Sequence, residues 1–270
     1  MWLNYDQEYQ EALKDPSFLA WRKKGAKYKA GNIVTVCAGI RPDSVIEIGC
    51  GTGDVLRELM SRSFAGTYTG TDISASALAA AGRNLGTGFC GSFISDAANL
   101  PLRDKTYSVA VLSHVLEHLD HPARAAQEAS RVAEFVVAEV PTEKVATNWM
   151  RKLFFRRHYA SASDAGHVQF WSPRSFVRFL QNECGFEILA LQREAISKEE
   201  DFFGKQGTAR VKPFVKHLLQ NLLPGFLRIW IFTTHTTVLC RRLSRRAAVA
   251  ASETAHAGQQ ERARVGGFAA

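Results

Sequence analysis

The stretch from Val45 to Val55, VIEIGCGTGDV, decides how this chain folds. An apolar run typical of a buried strand leads into three glycines, Gly49, Gly51 and Gly53, and a helical pattern follows. Glycine permits sharp backbone turns and a close approach to a ligand. The first N–H groups of the following helix lack partners within that helix and can point toward such a ligand. The stretch therefore predicts a strand, a ligand-binding turn and a helix.

The same alternation of short apolar strands and helical segments continues along the chain. The predicted strands cover residues 44–49, 67–73, 89–95, 107–113, 134–140, 186–193 and about 229–240. Helical segments are predicted near 54–63, 75–84, 122–132, 173–184 and 213–222. Strands that alternate with helices of this length indicate parallel βαβ units with right-handed crossovers. We therefore expect an α/β fold with a doubly wound, seven-stranded, Rossmann-like sheet.

The rest of the chain surrounds this sheet. Residues 1–40 read as an N-terminal helical cap, with a helix that starts near Asp15 and has Pro16 as an early residue. The main domain is expected over 41–242, with an irregular insert at 142–170 after the fifth strand. Residues 243–270 are rich in Ala, Arg, Gly and Gln, and this composition predicts disorder.

Bulk composition favours a globular cytoplasmic protein. The chain has 270 residues, of which 46% are hydrophobic, enough for one domain with a real core. Its five cysteines are scattered without a C-x-x-C pair, which argues against a disulfide framework and for a reducing compartment. The N-terminal residues lack the apolar core of a signal peptide. The most apolar late stretch, 222–240, is interrupted by Pro224 and Arg228, which argues against a membrane span.

The formal charge of +8 leaves two interpretations open. Basic residues cluster at 22–29, 151–158 and 241–246, and the first two clusters also contain aromatic residues. Such clusters can serve an anionic partner, or they can be solvated helix faces and a tail. The segment 213–232 is apolar with interspersed basic residues, so it fits either a buried helix and strand or a peripheral contact with an anionic membrane.

The charge around the glycine turn indicates the kind of ligand. A dinucleotide site requires G-x-G-x-x-G, but Asp54 occupies the position of the third glycine. Glu47 lies two residues before Gly49. A carboxylate there would repel a pyrophosphate and attract an ammonium or a sulfonium. The turn therefore suits a positively charged nucleoside better than NAD.

This pattern, E-x-G-x-G-x-G after a strand, resembles the first motif of class I S-adenosylmethionine-dependent methyltransferases, in particular their small-molecule, type 11 branch. The likeness covers about residues 41–190. It implies the methyltransferase version of the Rossmann-like sheet, with a lid in the insert after the fifth strand. It also implies that S-adenosylmethionine is the cofactor, held in this turn by Glu47, Gly49, Cys50, Gly51 and Gly53.

Two further motifs follow in the order of that family. In Gly70–Ser74 the resemblance assigns Asp72 to the ribose hydroxyls and Ile73 to the same site. The competing N-cap role is already filled by Ser74. In the third motif it assigns Asp96 to the adenine amino group and the N–H of Ala97 to the ring. By itself, Asp96 is equally compatible with a turn.

The fourth motif carries the candidate catalytic groups. The resemblance places Ser113 and His114 beside the methionine part of the cofactor and the reacting methyl group. A histidine with an ordinary pKa suits a general base, so His114 is the first candidate and His167 the second. His114 and His118 with the intervening Glu117 lack the H-E-x-x-H order of zincins, so we expect no metal.

The acceptor is expected to contact the insert and the helix after it. We assign Trp149, Arg156, Tyr159 and Trp171 as substrate-binding candidates, although the aromatic residues could equally form the core of a lid. The stretch Glu139-Val-Pro141 followed by G-H-x-x-F resembles bacterial methyltransferases associated with surface-glycan assembly.

We therefore expect methyl transfer to a small-molecule or glycan-linked acceptor in the cytoplasm. The fourth strand lacks an Asn- or Asp-Pro-Pro-Tyr motif after it, which argues against nucleic acid as the acceptor. Two alternatives stay open: a non-catalytic S-adenosylmethionine-binding scaffold, and an enzyme at the inner membrane surface that acts on a lipid-linked acceptor. The sequence gives no indication of the oligomeric state.

Overall fold

The computed structural model describes residues 5–142, 166–195 and 234–243, together with five isolated positions between 214 and 224. The described residues form seven strands: β1 (Ser44–Ile48), β2 (Thr67–Asp72), β3 (Phe89–Ile94), β4 (Tyr107–Ser113), β5 (Ala133–Thr142), β6 (Phe186–Ala195) and β7 (Thr234–Arg242). The helices are α1 (Tyr5–Ala12), α2 (Pro16–Val36), α3 (Asp54–Ser61), α4 (Ala75–Asn84), α5 (Pro122–Val132) and α6 (Pro173–Arg178). A 3-10 helix (Leu116–His118) follows β4, and a π-helical turn (Phe179–Glu183) extends α6.

The strands form one sheet in the order β3-β2-β1-β4-β5-β7-β6. Strands β1 to β5 are parallel, and β7 is antiparallel to both β5 and β6. The predicted doubly wound, seven-stranded sheet is therefore confirmed. The strand order reverses between β1 and β4, and in open α/β sheets ligands bind outside the carboxyl ends of the strands at this point. The glycine turn after β1 lies there.

Helices cover both faces of the sheet. Ile46 and Ile48 of β1 join a core with α5 and α6, whereas Val45 joins a second core with α2 and α3. Successive side chains of a strand point to opposite faces, so alternate residues of β1 enter different cores. Strands β4 and β5 are buried along most of their length, because neither face meets water.

Helix α2 begins as the sequence predicts. The Asp15 side chain accepts a hydrogen bond of 2.8 Å from the N–H of Ser17, and Pro16 occupies the first helical position. The helix buries Ala30 and Ile33 in the same core as Val45. Helix α2 therefore packs directly against the sheet that holds the glycine turn.

The final predicted strand is present as β7 over Thr234–Arg242. The predicted insert lies mostly outside the described residues, since the structure describes nothing between 142 and 166. The predicted disordered tail also lies outside them, apart from Leu243, and both assignments stay predictions.

Candidate active site

The glycine turn is tied to the end of β2 by three successive N–H groups. The N–H groups of Gly49 and Cys50 donate to the carbonyl of Thr71 at 2.7 and 3.0 Å. The N–H of Gly51 donates to Asp72 Oδ2 at 2.7 Å. The second oxygen, Oδ1, accepts from the N–H of Ser74 at 3.0 Å. The Asp72 carboxylate is therefore fixed in orientation at the edge where the sequence predicts the ribose.

Glycine is required in this turn for both conformation and space. Gly49 has φ +75°, and a Cβ there would lie 2.5 Å from Val115 Cγ2. Gly51 has φ +53°, and a Cβ there would lie 2.6 Å from both the Tyr9 hydroxyl and Arg22 Nη2. Residues that carry a side chain rarely adopt a positive φ, so both positions require glycine. The turn is thus a narrow cradle closed by Val115 on one side and by α1 and α2 on the other.

Glu47 presents an unpaired acceptor at the base of this cradle. The residue is 2% exposed, and its Oε2 has no hydrogen-bond partner among the described residues. Burial raises the pKa of the carboxyl to about 8, and the nearby positive charges of Lys29 and Arg22 oppose that rise. A buried acceptor without a donor is costly, and a cationic amino group would satisfy it. This environment fits the ammonium of the methionine part of the cofactor.

Apolar side chains flank the acids at the ends of β2 and β3. Ile73 is 56% exposed and Ile94 is 60% exposed, high values for isoleucine in a folded domain. Asp96 is exposed, and its Oδ1 accepts from the N–H of Ala98 at 2.8 Å, while Ala97 packs against the core. Asp96 therefore has the role in a turn that its residue type suggests. To bind adenine as well, its carboxylate would accept one more hydrogen bond, from the adenine amino group. The exposed isoleucines fit the faces of an adenine ring.

Ser113 adds a second unpaired polar atom. It ends β4, is 7% exposed, and its Oγ has no hydrogen-bond partner in the described part of the chain. Ser113 and Glu47 lie on adjacent strands, since β1 pairs with β4. Together with the cradle and Asp72, these orphaned groups fit S-adenosylmethionine, whose hydroxyl, ammonium and carboxylate groups need such partners.

Arg22 and Tyr9 are site residues that the sequence analysis did not identify. Arg22 Nε donates to Thr52 Oγ1 at 2.9 Å and contacts Asp54 Oδ2 at 3.3 Å. Its guanidinium also lies 5.7 Å from the centre of the Tyr9 ring. The two helices therefore hold a cation against the glycine turn. The available signal was the basic cluster 22–29, which places Arg22 and Lys29 seven positions apart on one helix face.

A second group of ionisable side chains lies beyond Ser113. His114 has φ +58°, a conformation that few non-glycine residues adopt. Its Nδ1 lies 3.4 Å from Glu117 Oε1, and its Nε2 lies 3.4 Å from Glu139 Oε1. The ring of His235 contacts it edge-on, with 4.9 Å between ring centres. The first predicted base thus lies between two buried carboxylates.

Strand β7 completes this group from a distant part of the chain. His235 pairs with Pro141 in the antiparallel register of β5 and β7, so the start of β7 lies beside the end of β5. Thr237 Oγ1 donates to Glu139 Oε2 at 2.6 Å, and Asn32 Nδ2 lies 3.4 Å from the same oxygen. One Glu139 oxygen is therefore anchored, and the other faces His114.

Burial disfavours the charged forms of His114, His235 and Lys29 in this group. It lowers the pKa of His114 well below the ordinary value, and the positive charge of Lys29 lowers it further. Burial and the neighbouring His114 lower the pKa of His235 to about 3. Burial also lowers the pKa of Lys29, although Glu139 opposes that shift. At neutral pH both histidines are uncharged, and the burial that removes their charge also weakens them as bases.

The second predicted base, His167, lies in a different cluster with Glu117 and His118. Its ring contacts that of His118 with 4.8 Å between centres. The backbone N–H groups of Val168 and Gln169 both donate to the Glu117 carbonyl, at 2.8 and 2.9 Å. The structure therefore joins the G-H-x-x-F segment to the 3-10 helix after β4, although the two are far apart in the sequence.

The predicted substrate residues fare differently. Trp171 is 8% exposed and packs with its ring 5.4 Å from Phe176 and 5.2 Å from Phe179, so it is a core residue. This corrects its assignment to the acceptor and favours the packing alternative. Trp149, Arg156 and Tyr159 lie outside the described residues.

Comparison with known proteins decides the family. A family model described as a methyltransferase domain matches residues 11–191, which is more than half of the chain. The chain belongs to this family. It is a class I S-adenosylmethionine-dependent methyltransferase, as the sequence motifs predict, and S-adenosylmethionine is its cofactor.

A curated relative of the methyltransferase is the demethylmenaquinone methyltransferase of Chlamydia pneumoniae. The two are 33% identical over 89 residues, which is 33% of this chain and 39% of that enzyme. The match thus spans well under half the length of that relative.

Several solved structures share the fold. The cyclase SpnF has a TM-score of 0.54 and 17% identity over 80% of this chain and 81% of its own. The magnesium protoporphyrin IX methyltransferase of Synechocystis, solved with bound S-adenosylhomocysteine, has a TM-score of 0.52 and 12% identity over 83% and 84%. A Bacillus halodurans protein assigned as a methyltransferase has a TM-score of 0.51 and 17% identity over 81% and 99%. At these identities the likeness shows the fold alone.

The methyltransferase offers no bilayer-crossing helix within the ranges that the structure describes, since none there is both long and apolar enough.

Proposed function

We propose that this methyltransferase transfers a methyl group to a nucleophilic atom, foremost a hydroxyl oxygen, of a small-molecule or glycan-linked acceptor that binds against His114. The observation that carries the proposal is the position of His114. It directly follows Ser113 at the end of β4, and it lies 3.4 Å from a carboxylate oxygen on each side. The imidazole is uncharged at neutral pH, and the Glu139 carboxylate 3.4 Å from its Nε2 favours the charged form once a proton arrives.

The cofactor supplies an electrophilic methyl group on a sulfonium. Glu47 binds the ammonium, Asp72 accepts from the ribose hydroxyls, and the cradle holds the chain of the ligand. These contacts fix the methyl group in line with the acceptor atom, and such positioning is the largest contribution that a protein makes to this reaction.

His114 removes the proton that the acceptor loses. The new bond forms between the acceptor atom and the methyl carbon as the bond from that carbon to sulfur breaks. The acceptor proton passes to the His114 ring, and the Glu139 carboxylate beside Nε2 stabilises the resulting imidazolium. Thr237 and Asn32 orient Glu139 for this role through its other oxygen.

The fate of the basic cluster 22–29 supports a small or glycan-linked acceptor over nucleic acid. Arg22 binds the glycine turn, and Lys29 faces the buried carboxylates, so these two cations are not on an outer surface. Nucleic-acid affinity depends on exposed cations that contact phosphates. Two cations of the cluster therefore serve the site itself.

The decisive experiment separates cofactor binding from transfer. The protein is titrated with S-adenosylmethionine and S-adenosylhomocysteine in a calorimeter, with NADH as a negative control. It is then incubated with tritiated S-adenosylmethionine and a panel of hydroxylated small molecules, nucleotide sugars and lipid-linked saccharides. Transfer that falls about 100-fold or more in His114→Asn, with unchanged cofactor affinity, is the expected result.

Two outcomes contradict the proposal. Transfer that persists at the wild-type rate in His114→Asn removes the histidine from the chemistry. Cofactor binding without transfer to any member of the panel favours the non-catalytic scaffold.

A further inference from the structure

Glu117, His118 and His167 form a second cluster of donor atoms beside the proposed acceptor site. Each residue offers one ligand atom, and these three atoms lie within 4.8 Å of one another. Glu117 and His118 come from the 3-10 helix after β4, and His167 comes from the segment after the undescribed residues 143–165. The set contains two imidazole nitrogens and one carboxylate oxygen.

Hydrogen bonds hold this cluster together before any ligand binds. Val168 and Gln169 donate to the backbone carbonyl of Glu117, and Gln169 Nε2 donates to the carbonyl of Leu119 at 3.1 Å. The segment that carries His167 is thus fastened over the 3-10 helix. His118 Nδ1 lies 3.4 Å from the carbonyl of Gly166, which favours the tautomer with its proton on Nδ1. That tautomer leaves the lone pair of Nε2 free to bind a metal ion, which is the usual arrangement in metal-binding histidines.

The carboxylate of Glu117 supplies an independent observation. The residue is 1% exposed, and neither of its oxygens has a hydrogen-bond partner in the described part of the protein. His114 Nδ1 lies 3.4 Å from its Oε1. A buried carboxyl group without a hydrogen-bond partner is costly in a protein interior. A cation bound beside it removes this cost.

We propose that Glu117, His118 and His167 bind a divalent transition-metal ion. Imidazole nitrogens with one carboxylate suit zinc, manganese and iron better than calcium or magnesium. A tetrahedral ion with bonds of about 2.0–2.1 Å needs ligand atoms about 3.4 Å apart, so the three side chains close in by an ångström or so. His118 and His167 are partly exposed, which gives the ion a path of entry.

Three protein ligands leave at least one coordination position for an exogenous oxygen. A bound ion would make an acceptor hydroxyl in that position more acidic, because the cation would stabilise the negative charge on its oxygen. His114, whose Nδ1 lies 3.4 Å from Glu117 Oε1, is the proposed receiver of this proton. This role of the ion rests on the proposed function, whereas the ion-binding site itself does not.

The sequence alone argued against this site for a clear reason. The motif H-V-L-E-H lacks the order of a helical zinc motif. The third donor, His167, comes from a distant segment, whose Gly166 lies 48 positions after His118. The proximity of that segment arises only from the backbone hydrogen bonds to Glu117 and Leu119.

The test is direct metal binding by the untagged full chain. Protein stripped with a chelator is titrated with Zn²⁺ in a calorimeter, and Co²⁺ is added in parallel to record the visible spectrum of a metal with nitrogen ligands. We expect one equivalent of Zn²⁺ to bind. Glu117→Gln and His167→Ala should each weaken binding by more than about 100-fold, since even supporting residues around metal sites change affinity 10- to 100-fold.

Two matched variants make the assignment specific. His121→Ala removes an exposed histidine from the same segment, and His235→Asn removes the histidine of the neighbouring Glu139 group. Unchanged Zn²⁺ affinity in both supports the proposal. Wild-type protein that binds no stoichiometric Zn²⁺, or affinity that survives in Glu117→Gln and His167→Ala, overturns it. Loss of affinity in His235→Asn alone also overturns it, by moving the ion to the other group.

Titration of the same samples with S-adenosylhomocysteine keeps the two proposals separate. Variants that bind the nucleoside as wild type are folded, so a loss of Zn²⁺ binding in them belongs to the metal site. Wild-type protein that binds Zn²⁺ but shows no methyl transfer contradicts the proposed function and leaves the metal site standing.

Discussion

The carboxylate of Asp72 accepts a hydrogen bond of 2.7 Å from the backbone N–H of Gly51, 21 residues earlier in the chain. This bond fixes the glycine turn against the end of β2, and it also fixes the carboxylate itself. A residue expected to contact the ribose thus has a second task, which is to shape the cradle that holds the rest of the cofactor.

Asp72→Asn should weaken S-adenosylhomocysteine binding by about 10- to 100-fold. The amide keeps the size of the side chain but loses the charge and one acceptor, and a hydrogen bond to a charged group contributes about 1.5–3 kcal/mol. Calorimetric titration measures the change. Glu187→Gln, which removes a carboxylate from an exposed ion pair with Arg241, is the matched control. Equal affinity in wild type and Asp72→Asn would remove Asp72 from the ribose site.

Cofactor binding should release a proton from Glu47. In the unliganded protein, burial raises the pKa of Glu47 to about 8, so the carboxyl is protonated at pH 6.5. An ammonium beside it favours the charged form and lowers that pKa on binding. Affinity should therefore increase as the pH rises toward about 8 and then level off.

Calorimetry at pH 6.5 in buffers of different ionisation enthalpy measures this release. We expect an enthalpy that varies with the buffer in wild type and does not vary in Glu47→Gln. A buffer-independent enthalpy in wild type would place the ammonium elsewhere.

Gly49→Ala should abolish cofactor binding, while Gly82→Ala should stabilise the fold. The new methyl group at position 49 would lie 2.5 Å from Val115 Cγ2 at a φ of +75°. In α4, the methyl group at position 82 would meet nothing within 4 Å, and alanine in a helix is favoured over glycine by roughly 0.5–1 kcal/mol. Thermal unfolding and titration with S-adenosylhomocysteine test both variants. Normal binding by Gly49→Ala would show that Val115 and the turn can shift to admit a side chain, and would contradict the requirement for glycine at this position.

Arg22→Met should lower both stability and cofactor affinity. The guanidinium bonds Thr52 and Asp54, and the side chain of Asp54 is only 4% exposed. Arg57 still contacts Asp54 at 3.3 Å, so we expect the free energy of unfolding to fall by a moderate amount, about 1–2 kcal/mol. Chemical denaturation measures this change. Lys23→Met, at the next and exposed position, should have little effect, and equal losses in the two variants would contradict the role of Arg22.

Arg131→Met should lower stability without changing the affinity for the cofactor. Its guanidinium donates to the carbonyls of Leu100 and Leu102 at 3.0 and 2.8 Å and pairs with Glu128, which fastens the loop before β4 to α5. The side chain is 29% exposed, so solvent screening limits the loss to about 1 kcal/mol. Chemical denaturation, with the exposed Arg124→Met as control, measures it. A parallel loss of cofactor affinity would show that this loop also shapes the site.

The fold could be predicted from the sequence because its signals are local. The strand before Gly49, the N-cap at Asp15 and the N-cap at Ser74 each depend on residues within a few positions of one another. The alternation of these elements then leaves few arrangements open, since parallel strands need right-handed crossovers. The predicted cofactor residues follow from the same local patterns, because each lies at or just after the end of a strand.

The acceptor half of the site could not be predicted in this way. His114 meets Glu139 only because β4 and β5 are paired, and Glu139 meets Thr237 across 98 positions of sequence. In the sequence, Lys29 belongs to a cluster of basic residues that is compatible with a solvated helix face. Its orientation toward the site depends on how α2 packs against the sheet. Trp171 was predicted to contact the acceptor but is buried in the core, because sequence does not distinguish a buried aromatic ring from one that lines a pocket.

The insertion of β7 between β5 and β6 has a consequence for the order in which the enzyme is made. All the predicted cofactor contacts lie before position 114, so they leave the ribosome early and can assemble from neighbouring segments. His235 and Thr237 leave it more than a hundred residues later, and contacts between distant segments form slowly because a long loop must close first. The segments of the predicted cofactor site are therefore synthesised well before those of the proposed acceptor site, which is complete only once β7 has been made.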